Sequence, residues 1–241
     1  MGSTEHDGGE HHHHEEHANV QGGFARAAVF GASDGLVSNV LLIIGMSGAE
    51  ASGSVVRTAG IAGLLAGAIS MASGEYVSVR AQNELVEREL DRERTALSEH
   101  PEHEAEELAQ LYVDRGMTLD QARTMSEQVM ADPDVALEVH AREELGVTPG
   151  ELASPWTAAA SSFVAFVIGA FIPLLPWLFS EGGAATWASV VLGVLGAAGI
   201  GLGLAVLTGR SIMRNVSRHV VIAVSAAVVT YFIGGLVGKA V

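Results

Sequence analysis

One stretch limits what this chain can fold into more than any other. From Thr58 it runs TAGIAGLLAGAISMASGEYVSV, glycine-laced and apolar, then passes without Gly or Pro into the heavily charged RAQNELVERELDRERTALSEH. About twenty apolar residues in a helix span the hydrocarbon core of a bilayer. The pattern therefore predicts one rod that leaves the membrane and carries acids into water. Inside its apolar part stand Met71 and Glu75, four residues apart and so on one helix face. A carboxylate within a spanning segment is costly and marks a functional path. A hard carboxylate beside a soft thioether suits Fe²⁺, Mn²⁺ or Co²⁺ better than Mg²⁺ or Ca²⁺, which prefer shells made only of oxygen.

Four further apolar blocks of similar length occur, Phe24–Gly48, Trp156–Phe179, Ala184–Leu207 and His219–Val237. The expected fold is all-α: a five-helix transmembrane bundle with a helical domain inserted between the second and third spans. In the first block, Asp34 is flanked by Gly31, Ser33 and Gly35, a sequence that could serve as a turn or cap at the water line. Only about eleven apolar-rich residues follow before Ser47-Gly48, too few to span, so the helix must include Ala27–Ala32 and Asp34 lies within the membrane. Asp34, Met71 and Glu75 are the candidate transport path. Gly60, Gly63, Gly67 and Gly74 form a stripe for close helix approach, as do Gly196, Gly199 and Gly203, and Gly234 with Gly238. Pro173 and Pro176 should kink or loosen the third span and free backbone carbonyls.

Between residues 81 and 155 stand nineteen acids against six arginines, a bias that points to cations. Glu84, Glu87 and Asp91 share one helix face, with Glu89 and Glu93 on the opposite one. Pro101 ends that helix. A second carries Glu102 with Glu106, and His103 with Glu107, in i,i+4 pairs. Gly116 closes it, Thr118 caps a third helix, and Asp132-Pro133-Asp134 starts a fourth in which His140 precedes Glu143 and Glu144. Any one pair is the face a solvated helix would show; the convergence of Glu89, Glu93, Glu102, His103, Glu106, Glu107, His140, Glu143 and Glu144 with no basic counterweight makes a metal site. The division expected is 1–21 as a disordered His/Glu-rich tail, 22–80 as spans one and two, 81–155 as the soluble metal-binding domain, and 156–241 as spans three to five. The tail's His tract reads equally as an expression tag or a native metal-attracting segment.

The chain's net charge of −15 argues against nucleic-acid partners, and the lack of cysteine excludes disulfides and thiolate ligands. No cleavable signal pattern is visible, so the first span would direct insertion. Arg210–Arg218 carries three arginines and Ser180–Gly183 none. The positive-inside rule then places the N-terminus, the acidic domain and Arg210–Arg218 in the cytoplasm. Arginine-rich, lysine-poor composition leans toward a bacterial inner membrane.

Three runs, SDGLVSNVLLIIG at Ser33–Gly45, AGAISMASGEYVSV at Ala66–Val79 and IPLLPW at Ile172–Trp177, together with HAREELG at His140–Gly146, resemble the vacuolar iron transporter family. The set covers nearly all of the chain after the tail. The resemblance implies a five-helix membrane fold, a homodimer, and exchange of Fe²⁺, often also Mn²⁺, for protons, with a cytoplasmic helical metal-binding domain. By position Asp34 matches the family's first-helix aspartate and Met71 its second-helix methionine, while Glu93, Glu106 and Glu144 are similar to acidic ligands of the soluble domain. There are departures. A second-helix glutamate of the plant members falls here on Gly63, Glu75 resembles the plant nodulin-like branch, His140 stands where a domain methionine is expected, and His103 falls near another glutamate position.

The function expected is export of Fe²⁺, and of Mn²⁺, from the cytosol in exchange for protons, with Zn²⁺ and Co²⁺ as further candidate cargoes and no permanent cofactor. The membrane would be the bacterial inner membrane, or the vacuolar membrane if the chain is eukaryotic. A membrane-anchored metal sensor or store is the alternative, disfavoured because an anchor has no need of intramembrane Asp34 and Glu75. No enzyme is expected: a di-iron oxidase would need two Glu-x-x-His copies on facing helices, and the soluble helices do not carry them.

Overall fold

Helix length and punctuation account for the architecture. The computed structural model describes residues 23–150 and 152–240; the tail expected to be disordered, with its His tract, lies outside the described residues. Eight helices follow in order: α1 (Gly23–Gly48), α2 (Gly53–Glu99), α3 (Pro101–Asp114), α4 (Leu119–Met130), α5 (Pro133–Glu144), α6 (Pro155–Phe179), α7 (Gly182–Thr208) and α8 (Ile212–Gly238), with no strand among the described residues. Of these, α1, α2, α6, α7 and α8 are long and apolar enough to cross a membrane. At 47 residues α2 is about 70 Å long, more than twice the hydrocarbon thickness of roughly 30 Å. It stops at His100 because Pro101 disfavours helical geometry in the residue before it. Pro101 then opens α3 at a position where its missing N–H costs nothing.

In the bundle the most extensive close packing is between α1 and α6. Gly31 and Gly35 of α1 face the backbone of Ser162 and Phe166, and Gly169 of α6 faces the backbone of Ala32 and Leu36. A Cβ on Gly31 would lie 2.6 Å from the Ser162 carbonyl oxygen, so this contact tolerates only glycine. Around it Ile43, Leu64, Ala68, Phe166, Ala170, Leu174 and Trp177 form the apolar core shared by α1, α2 and α6. Despite Pro173 and Pro176, α6 runs unbroken. Carbonyls in its proline stretch receive side-chain donors, Asn39 Nδ2 to Ala170 O and Ser189 Oγ to Pro173 O, each at 2.6 Å.

The other glycine stripes divide. Gly60, Gly63 and Gly67 meet Leu174, Leu42 and Phe166, and Gly196 meets Leu36. Gly234 and Gly238 pack on Gly45 of α1 and on Ala49 just after it, so the GxxxG pair is used within the chain. Gly74, Gly199 and Gly203 have nothing within 4 Å. The fifth spanning helix also starts earlier than its apolar block, at Ile212, so Arg214 and Arg218 lie on its first turns and the connection shrinks to residues 209–211.

Beyond the bundle, α3, α4 and α5 fold back on the far half of α2. Leu108, Ala109, Tyr112 and Ala122 form their core. Gly116, at φ +101°, reverses the chain after α3. Thr118 and Gln121 form a reciprocal capping box at the start of α4, and Asp132 accepts from the Asp134 and Val135 backbone N–H groups at the start of α5.

Candidate functional site

Two groups of metal-ligand side chains lie along α2. In the apolar half, a cavity of about 380 Å³ is lined by Phe30, Asp34 and Ser38 of α1, by Gly63, Gly67, Ser70, Met71, Gly74 and Glu75 of α2, and by Phe166 of α6. The α2 glycines keep its wall low, and Met71 and Glu75 enter from successive turns. Asp34, Met71 and Glu75 therefore face one space, two carboxylates and a thioether, a donor set suited to a borderline divalent ion. A larger cavity of about 670 Å³ lies between α1, α7 and α8, but its walls are overwhelmingly apolar and bring no metal-ligand group together.

Two residues of this region escape a reading of the sequence. Glu75, with only 8% of its side chain exposed, places Oε2 2.9 Å from Nη2 of Arg26. Arg26 is the lone basic residue of α1, eight residues and about two turns before Asp34. That spacing was the available signal. Asn39 is buried; its Nδ2 is spent on Ala170 O, while its Oδ1 has no hydrogen-bond partner and sits 3.5 Å from where a Gly63 Cβ would be.

In the charged half, Glu93 of α2, Glu104 of α3, and His140 and Glu144 of α5 each offer a ligand atom within 4.8 Å of the others. His140 is fully buried, with Nδ1 3.0 Å from Glu144 Oε1 and 3.1 Å from Glu93 Oε1. One Nδ1 proton can serve only one of them. The hydrogen bond goes to Glu144, and Glu93 Oε1 and His140 Nε2 are left buried without partners. Burial, then the charge of Glu144, pushes the Glu93 carboxyl above its ordinary 4.5. Burial also raises Glu144, with Glu107 and Glu104 adding to the effect and His140 opposing it. Carboxylates crowded this way favour a cation among them. Three carboxylates and an imidazole fit Fe²⁺, Mn²⁺ or Zn²⁺. His103 and Glu107 form a second, exposed group that shares Glu104.

Glu104 is absent from the residues that spacing singled out, although a signal existed: it lies four residues before buried Leu108 and eight before buried Tyr112, on the apolar stripe of α3. The remaining acids are placed elsewhere. Glu89 pairs with Arg92 at 2.9 Å, Glu106 with Arg123 at 2.9 Å, and Glu143 with Arg115; Glu102 is exposed on the first turn of α3, outside both groups. The Arg123 bond holds Glu106 below its ordinary value. Arg92, Arg115 and Arg123 are thus a basic counterweight spent on acids outside the inner cluster.

Residues 25–235 match the model of the VIT family. Relatives include the "Vacuolar iron transporter" of Acanthamoeba castellanii, 39% identical over 185 residues, covering 74% of this chain and 67% of the relative. "Vacuolar iron transporter 1" of Arabidopsis thaliana is 37% identical over 167 residues, covering 68% and 65%. "Vacuolar iron transporter 2" of Oryza sativa subsp. japonica is 33% identical over 165 residues, covering 68% and 67%. The chain thus aligns with about two thirds of the length of these relatives. From the first spanning helix to the last, this chain belongs to the VIT family.

Proposed function

We propose that the chain transports Fe²⁺, with Mn²⁺ as a second cargo and Zn²⁺ and Co²⁺ as further candidates, out of the cytosol in exchange for protons. The observation that carries this reading is the convergence of Asp34, Met71 and Glu75 on one cavity within the membrane-crossing part of the bundle. The names of the relatives support iron as the cargo. Metal and proton compete because a carboxylate must be ionised to bind the ion. Protons arriving from the far side would release the metal there, which gives antiport without another energy source. The cluster of Glu93, Glu104, His140 and Glu144 concentrates cytosolic metal, flanked by His103 and Glu107; Glu102 adds negative field around it, whereas Glu89, Glu106 and Glu143 are held by arginines. Residues 81–155 are then a cytoplasmic metal-binding domain and the membrane is a bacterial inner membrane. A homodimer is part of this reading; Gly199 and Gly203, where an added Cβ would meet nothing among the described residues, support a close approach by another copy.

Proteoliposomes with an imposed proton gradient test the proposal. Fe²⁺ and Mn²⁺ flux should rise with the gradient and acidify the compartment the metal leaves. Metal flux without proton movement would remove the antiport, and no flux of either metal would remove the transport reading.

A further inference from the structure

The pairing of Arg26 with Glu75 has a use within that reading, on which this inference rests. We propose that Arg26 is a tethered cation that holds the Glu75 carboxylate when the cavity is empty of metal, is displaced by an arriving divalent ion, and thereby sets a threshold that monovalent ions do not pass. An ion path must stand empty for part of every cycle, and a buried carboxylate left without a counter-charge is costly. Asp34, on the same cavity, only adds negative charge. Arg26 supplies the missing cation at 2.9 Å.

The pair is built asymmetrically. The Glu75 side chain is 8% exposed and that of Arg26 62%. The acid is fixed by the bundle, whereas the base stands three residues from the start of α1 on a long flexible stem left mostly uncovered by the bundle. Arg26 is therefore the partner able to leave. With Arg26 in place, Asp34 and Glu75 leave the cavity one formal negative charge; a divalent ion that takes the place of Arg26 brings it to neutrality. A sodium or potassium ion taking that place leaves the charge unchanged and forfeits the guanidinium's directed hydrogen bond. Exchange is thus favourable for a divalent ion and unfavourable for a monovalent one.

The test uses the full chain in liposomes, with Mn²⁺ as the probe. Initial uptake is read against Mn²⁺ concentration for wild type, Arg26→Gln, Arg26→Lys, Glu75→Gln and the double variant Arg26→Gln/Glu75→Gln. Removing the competing cation should lower half-saturating Mn²⁺ roughly three- to tenfold, the range between an exposed and a charge-assisted pair. Maximal rate should fall with it, because the returning cation no longer assists release. Uptake by Arg26→Gln should also become sensitive to Na⁺ at constant ionic strength, where wild type is not. Arg26→Lys keeps the charge without the fork and should shift half-saturation less, in the same direction; it decides the matter if Arg26→Gln does not reconstitute. In the Glu75→Gln background the Arg26→Gln shift should vanish. Unchanged or weaker half-saturation in both Arg26 variants overturns the proposal, whether or not their melting temperature drops, and so does an equal shift when Glu75 is already Gln. Failure of the path itself looks different: Asp34→Asn and Glu75→Gln would both then keep wild-type flux.

Discussion

Glu93→Gln should stabilise the metal-free protein and weaken its metal binding at once. Glu93 is held beside Glu144 and Glu104 with its Oε1 buried and unpartnered. Its carboxyl is raised above 4.5 chiefly by burial. A carboxyl with a raised folded-state value makes the folded protein bind more protons than the unfolded chain, so stability falls as pH rises from 4.5 through the folded value. Above the folded value that penalty is fully present, and a neutral carboxamide of the same shape removes it, less what the contact with His140 contributes; the gain fades as pH falls toward 4.5. With metal the sign reverses. Loss of a direct carboxylate ligand should weaken binding by at least the roughly 10- to 100-fold that even indirect supports of metal ligands are worth. Thermal melts of the detergent-solubilised full chain, with and without Mn²⁺, and calorimetric titration across pH 5–8 (a window of about three units above the carboxylate range) measure both effects. Wild-type affinity should itself weaken as pH falls through the raised values of Glu93 and Glu144. A metal-free variant less stable than wild type at pH 7, or one that binds Mn²⁺ as tightly, would refute the reasoning.

Other expectations follow from the same geometry. Glu106→Gln should weaken Mn²⁺ binding far less than Glu93→Gln, because Arg123 already holds Glu106; equal losses in the same titration would contradict this. Asp34→Asn should abolish proteoliposome flux at matched folded protein, and Glu75→Gln should leave flux that no longer responds to the pH gradient; wild-type behaviour in both would show that the ion travels elsewhere. Met71→Leu keeps volume and apolarity, so it should cut Fe²⁺ flux while leaving the melting temperature nearly unchanged. Gly169→Val would drive side-chain atoms into the α1 backbone at Ala32–Leu36, with an expected loss of about 1–3 kcal/mol or more; an unchanged melting temperature would mean that α1 and α6 are not in such close contact.

What could be read from sequence was whatever is local. The apolar blocks, Pro101, Gly116, Thr118 and Asp132 all act within a few residues of themselves, and the helices sit where they point, save that α8 starts at Ile212, ahead of its apolar block. Met71 and Glu75 share a face by spacing alone. Pairings across the fold were not legible. Nothing local says that Arg123 reaches back seventeen residues to Glu106, or Arg26 forty-nine residues forward to Glu75. Counting acids against arginines gave the net field correctly and its distribution poorly. Glycine stripes suffer the same limit: spacing marks Gly234 and Gly238 as a contact face, and only the fold assigns that face to α1 of the same chain.

The relation between the two sites follows from helix geometry. Glu75 and Glu93 lie eighteen residues apart on α2, five full turns and so the same face, separated by about 27 Å. Between them that face carries Val79, Asn83 and Leu90, all buried, with Asn83 Nδ2 donating to the Ala153 carbonyl. Val79 and Leu90 offer an ion no ligand, Asn83 is already engaged, and Glu89 on the same face is paired with Arg92. Electrostatics alone does not bridge the gap either, since screening at physiological salt acts over about 8 Å. On the proposed function, metal held by Glu93, Glu104, His140 and Glu144 would leave that cluster before it meets Arg26 and Glu75, about 27 Å away. On the proposed function, the inner cluster then sets how much metal stands near the membrane, while Asp34, Met71 and Glu75 set what crosses it.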